Sequence, residues 1–119
     1  MTKHQVDLTL IFHALGDPTR RAMLERLGQV ALPVSVLAAP TGFALPTVLR
    51  HLEVLEDAGL IRTEKHGRTR FCKAVPSALH AVDDWLQSAR AEWEARTDRL
   101  ETFLETLEDD NDPEPDNRS

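Results

Sequence analysis

Apolar residues recur with helical spacing along the first sixty positions. Leu8, Ile11, Phe12 and Leu15 follow i, i+3, i+4, i+7, which predicts a first amphipathic helix ended by Gly16. Asp17-Pro18 predicts the start of a second helix. Asp is a favoured N-cap, and Pro at the first helical position gives up only a donor that has no intrahelical partner. This helix continues through Met23, Leu24 and Leu27 to Gly28. Pro33 predicts a short third helix, from Val34 to about Ala39, broken by Pro40-Thr41-Gly42. Leu45-Pro46 opens a fourth, which runs to Ala58-Gly59. Two helices joined by a tight turn bearing Pro and Gly fit a helix-turn-helix.

Within the fourth helix, at about 100° per residue, Leu45, Val48, Leu52 and Leu55 share one face. Thr47, Arg50 and Val54 fall opposite, with His51 on one border and Leu49 on the other. Thr47 and Arg50 are residue types that contact base edges or phosphates. Leu60–Lys65 and Arg68–Val75 then read as two strands around His66-Gly67, with Lys65, Arg68, Arg70 and Lys73 making the hairpin basic. A polar helix face beside a basic hairpin is the geometry of a winged helix-turn-helix, whose helix enters the DNA major groove while the hairpin reaches the backbone. The expected fold is therefore mainly α with a small β-hairpin.

Beyond Pro76 the period changes. Leu79, Val82, Leu86, Ala89, Trp93, Arg96, Leu100, Phe103 and Leu107 are spaced alternately three and four apart, a heptad seam interrupted by Arg96. A helix of that length exceeds what so small a domain needs, and its seam predicts pairing with a second copy of the chain. The expected organisation is residues 1–107 as the DNA-binding domain, with a dimerisation helix at about 76–107, followed by a disordered acidic tail at 108–119. Leu86, Trp93 and Leu100 are the seam residues assigned to the dimer interface.

The net charge of −6 at first argues against DNA, until it is divided along the chain. Met1–Val75 carries ten Lys/Arg against seven Asp/Glu, whereas Pro76–Ser119 carries four against thirteen. The acidic excess lies away from the candidate DNA face, and the local field decides attraction to phosphate. No apolar run approaches the roughly 18 residues of a membrane span. The opening MTKHQVDLTL lacks the apolar core of a secretory signal, and Cys72 is the single cysteine; both point to the cytoplasm. Cys72, flanked by Phe71 and Lys73 with Arg70 near, is an oxidant-sensing candidate weighed against inert packing. His80, Asp83 and Asp84 have possible metal-ligand spacing, but no second His follows about a dozen residues on, so no metal or other cofactor is expected. The chain also lacks a nucleophile with its base and a phosphate loop, which excludes an enzyme reading.

With these motifs assembled, the chain resembles the ArsR/SmtB family of winged-helix repressors from about Leu10 to Trp85. Phe12-His13-Ala14-Leu15-Gly16-Asp17-Pro18-Thr19-Arg20-Arg21 looks like that family's opening phrase. Leu45 to Leu52, then Leu55 and Ala58-Gly59-Leu60-Ile61, looks like its recognition helix and the entry to its wing; Gly67-Arg68-Thr69-Arg70 looks like its wing tip. The resemblance implies a homodimeric repressor on a short inverted repeat of double-stranded DNA, with first and last helices, here Leu8 and Phe12 with the late seam, forming the dimer interface. Two positions depart from the family. Val34-Ser35-Val36-Leu37-Ala38-Ala39 replaces the Cys-x-Cys pair of its metal sensors, and Leu49 stands where relatives often carry a DNA-contacting Ser. The DNA-contacting set is then Thr47, Arg50, His51, Lys65, Arg68 and Arg70. The alternative reading is a protein-interaction adaptor on the same scaffold that no longer binds DNA. No inducer or partner protein is named by the residues.

Overall fold

Short carboxylates set the first two helix starts. In the computed structural model, which describes residues 7–111, Asp7 caps helix α1 (Leu8–Leu15) by accepting from the Thr9 and Leu10 N–H groups at 3.0 and 3.3 Å. Asp17 caps α2 (Pro18–Leu27) by accepting from Arg20 N–H at 3.0 Å, with Pro18 at the first helical position as its fixed φ favours. A two-residue strand, β1 (Leu32–Pro33), precedes the short helix α3 (Val34–Ala38) and a 3-10 turn at Ala39–Thr41. Helix α4 (Leu45–Asp57) follows, then strands β2 (Ile61–His66) and β3 (Thr69–Ala74), and the long helix α5 (Ser77–Asn111).

Gly59 stops α4 with φ +78°, a left-handed conformation that L side chains resist. Its N–H donates to the Glu56 carbonyl, and Leu60 N–H to that of Leu55, the paired bonds that satisfy a helix C-terminus and turn the chain. Leu60 and Ile61 are thereby delivered, nearly fully buried, into the core at the start of β2. That core gathers Ile11 and Ala14 of α1, Met23 and Leu27 of α2, Leu37 of α3, Val48, Leu52 and Leu55 of α4, and Cys72 of β3. Every element of the helix-turn-helix and the hairpin is thus fixed by one apolar cluster. Ala78 in the first turn of α5 joins it.

The sheet is three-stranded and antiparallel in the order β1-β3-β2, one strand more than the hairpin that the sequence predicts. Leu32 pairs with Cys72 and Pro33 with Phe71, so Pro33 ends an edge strand and is also the N-cap of α3, which begins at Val34 as expected. An edge is where a residue without an N–H is tolerated. The hairpin turn is also shifted by one residue. Its loop is Gly67-Arg68 rather than His66-Gly67, and His66 pairs with Thr69. Gly67 supplies φ +65° at the first loop position, as a type II′ turn requires. Moving the loop by one residue slides each cross-strand pair by two positions, so every side chain keeps its face while its partner changes. Cys72 thus lies opposite Thr63 rather than Ile61, on the core face in either pairing.

The described residues divide into two units, up to Asp83 and from Asp84 onward. The second is the continuation of α5, which ends at Asn111, four residues past the expected Leu107 and two before Pro113. Residues 112–119 of the acidic tail lie outside the described residues. Leu86, Trp93, Leu100, Phe103, Leu104 and Leu107 are all exposed along this helix. Arg96, which interrupts the seam, makes an exposed i, i+4 ion pair with Glu92 at 3.1 Å. No helix among the described residues is long and apolar enough to cross a membrane.

Candidate nucleic-acid interface

Helix α4 presents Arg50 to solvent because Val48, Leu52 and Leu55 hold its opposite face in the core. The exposed face is centred differently from the sequence expectation. Val54, expected opposite the core, is partly buried against it, and Glu53 takes the exposed place beside Arg50. Thr47 is exposed near the start of the helix.

The cross-strand register sorts the hairpin cations by face. Residues directly opposite on antiparallel strands point to the same side, so Ile61 with Ala74, Thr63 with Cys72, and Lys65 with Arg70 share the core-bearing face. Arg62 and Lys73 pair on the other side with Glu64, His66 and Phe71. Lys73 is therefore separated from the Lys65–Arg70 pair. Arg68 occupies the loop tip.

Between α4 and the hairpin lies an open cleft of about 540 Å³, lined by Leu49, Arg50, Glu53, Glu56, Thr63 and Arg70 among others. A neighbouring cleft of about 360 Å³ joins Leu45 and Leu49 of α4 to Arg68, Thr69 and Arg70, with Val34 and Ser35 of α3 on its wall. Arg70 is oriented by a relay: its Nη1 donates to Thr63 Oγ1 at 3.0 Å, and that hydroxyl donates to Glu56 Oε2 at 3.2 Å. Four expected residues are thereby grouped: Arg50 and Arg70 in one cleft, Arg68 in the next, and Lys65 beside Arg70 on the same sheet face. Leu49, Glu53, Glu56 and Thr63 were missed as cleft residues. Their exposed helical spacing with Arg50 was legible; the approach of Thr63 and Arg70 depends on the register.

His51 stands apart. Its side chain is only 15% exposed, and Nδ1 lies 3.1 Å from Arg20 Nη1 and 4.0 Å from Asp17 Oδ2. Arginine only donates, so Nδ1 is the acceptor in this contact. Phe43 packs at a ring distance of 6.0 Å. These contacts tie the His51 side chain of α4 to α2. The Arg20 N–H bond, reinforced by the Arg20 charge against the opposing effect of burial, holds the Asp17 carboxyl below its usual pKa.

Cys72 is a packed thiol. It is fully buried, and burial first, then the Glu56 charge, pushes its pKa up against a smaller opposing effect of Arg70. Lys73, expected to favour the thiolate, points to the opposite sheet face. Among the described residues no three His, Cys, Asp or Glu side chains converge to hold a metal ion, those of His80, Asp83 and Asp84 included.

A domain so arranged is that of a helix-turn-helix regulator, and comparison with known proteins agrees. The family profile described as a helix-turn-helix domain matches residues 15–64. The chain is 47% identical to an ArsR family transcriptional regulator of known crystal structure, with TM-score 0.70, over 73% of this chain and 96% of the other. An ArsR-like transcriptional regulator from Rhodococcus sp. RHA1 is 29% identical, with TM-score 0.72, over 81% and 91% of the two chains. The HTH-type transcriptional regulator Rv2034 of Mycobacterium tuberculosis is 38% identical over 71 residues, 60% of this chain and 66% of that relative. The chain belongs to the ArsR family of transcriptional regulators. It is a regulator with a helix-turn-helix domain and not an enzyme.

Proposed function

We propose that this chain is a sequence-specific DNA-binding repressor that grips an inverted repeat as a homodimer, in the cytoplasm and without a metal effector. The observation that carries the reading is the cleft shared by Arg50 of α4 and Arg70 of β3, with Arg68 at the adjoining tip. Arg50 and Thr47 read base edges in the major groove, while Lys65, Arg68 and Arg70 hold backbone or minor groove. His51 acts through the placement of α4. Lys65 and Arg70 sit directly opposite each other, a like-charge pair that is unfavourable alone and relieved by phosphate.

The exposed row Leu86, Trp93 and Leu100 on α5 supports pairing with a second copy, and Leu8 and Phe12 of α1 supply a further apolar patch. Two-fold symmetry then sets two α4 helices on successive major grooves of an inverted repeat, roughly 34 Å apart. A winged helix-turn-helix domain of Mycobacterium bovis with the same fold, at 20% identity and TM-score 0.57, is homodimeric. The transcriptional repressor SdpR of Bacillus subtilis, 25% identical over 76 residues, supports repression as the outcome of binding. Metal independence rests on α3, whose Val34, Ser35, Val36, Leu37 and Ala38 offer no thiolate or imidazole. The adaptor reading draws support from Glu53 and Glu56 in the cleft. Glu56 is engaged by Thr63, which leaves Glu53 against Arg50 and Arg70, so DNA is favoured.

Arg50→Ala and Arg68→Ala test the assignment. Arg50→Ala is expected to cost about 1–3 kcal/mol on the preferred duplex and little on random DNA, as loss of a base contact does. Arg68→Ala is expected to weaken both duplexes alike and to flatten the salt dependence. Equal losses for Arg50→Ala on the two duplexes would make it a phosphate contact.

A further inference from the structure

Leu49 is a large apolar side chain on the surface assigned above to DNA. It is 44% exposed and lines both clefts. One cleft sets it beside Arg50, Glu53 and Arg70; the other sets it beside Leu45, Arg68 and Arg70. Leu45, one turn earlier, is 54% exposed, so the two leucines form an apolar ridge at i, i+4 between the cations of α4 and those of the hairpin. Single exposed leucines are ordinary. A ridge framed by arginines on a docking face is different, because it must meet whatever the arginines bring in.

A duplex presents mainly phosphate oxygens, sugars and the donors and acceptors of base edges. The thymine 5-methyl is the apolar group that a major-groove edge displays. Glu53 lies one turn beyond Leu49, and its carboxylate disfavours a phosphate at that point of the helix. Backbone is thereby turned away from the ridge, and a base edge is admitted. We infer that Leu49 is a specificity-determining residue that packs on the 5-methyl group of a thymine, in the base pair beside that met by Arg50. This inference rests on the DNA-reading role of α4 proposed above.

The test begins with selection of bound duplexes from a random library by the full chain. Each thymine of the enriched half-site is then replaced by uracil, which keeps the pairing and removes only the methyl group. One position in each half-site is expected to lose about fourfold in affinity for each half-site altered, the worth of one buried methyl group. The same replacement is expected to leave the affinity of Leu49→Ala unchanged. Leu49 is on the surface and alanine favours a helix; circular dichroism and the native mass of the variant verify that it folds. Enrichment with no uracil-sensitive position would overturn the inference while leaving the DNA-reading role in place. A uracil effect of the same size in the variant would do likewise. Absence of any enriched sequence would remove both.

Discussion

Arg20 sets its guanidinium where three helices meet. Nε donates to the Ala14 carbonyl at 2.8 Å, Nη2 to that of His13 at 3.0 Å, and Nη1 to His51. It therefore closes the C-terminal end of α1 while fixing the helix that carries Arg50. Arg20→Ala removes the donor to the Ala14 carbonyl and to an imidazole nitrogen, leaving His13 its bond from Gly16 N–H, and is expected to cost about 2–3 kcal/mol. A urea titration should find a lower midpoint with an unchanged slope; an unchanged midpoint would deny Arg20 this role. Cys72 gives the second residue-scale prediction. Fully buried and with its pKa raised, it should react slowly with a thiol reagent in the folded chain and rapidly in urea. Peroxide should leave DNA affinity unchanged. Fast labelling of the folded chain would restore the sensing role.

Helix starts were legible because a few adjacent residues decide them: Asp17-Pro18 caps and opens α2 with no help from the rest of the chain. Gly59 likewise marks the end of α4 by local backbone chemistry. The third strand was not legible, since Leu32 and Pro33 become a strand only by pairing with distant Cys72 and Phe71. The hairpin turn was missed by one residue for a local reason: both loops contain Gly67, and the one formed sets it at the first loop position with φ +65°. In the candidate site, Arg50 and Arg68 could be picked from charge and spacing. The retention of His51 by Arg20, 31 residues away, could not. For α5 the heptad spacing was plain, and the structure leaves its large apolar residues exposed. Trp93, at 60%, is the most exposed of them, so Trp93→Glu should convert a dimer to single chains by placing a charge in a dehydrated seam. Sedimentation of the unaltered chain at the mass of one copy would contradict the pairing itself.

Across the whole molecule, charge is divided in the way the proposed function requires. The residues up to Val75 carry a cationic excess, the hairpin concentrates part of it beside α4, and the acidic excess begins at Pro76. An overall charge of −6 is thus compatible with attraction to phosphate at one face. Sequence-specific recognition by paired chains can be read from anisotropy titration of two labelled duplexes. One duplex carries the inverted repeat recovered by selection and the other a scrambled version, both at about 0.15 M salt with and without micromolar zinc. The expected result is binding of two chains to the repeat, at least about 10³-fold tighter than to the scrambled duplex and indifferent to zinc. Equal affinity for the two duplexes, at any zinc level, would contradict the account.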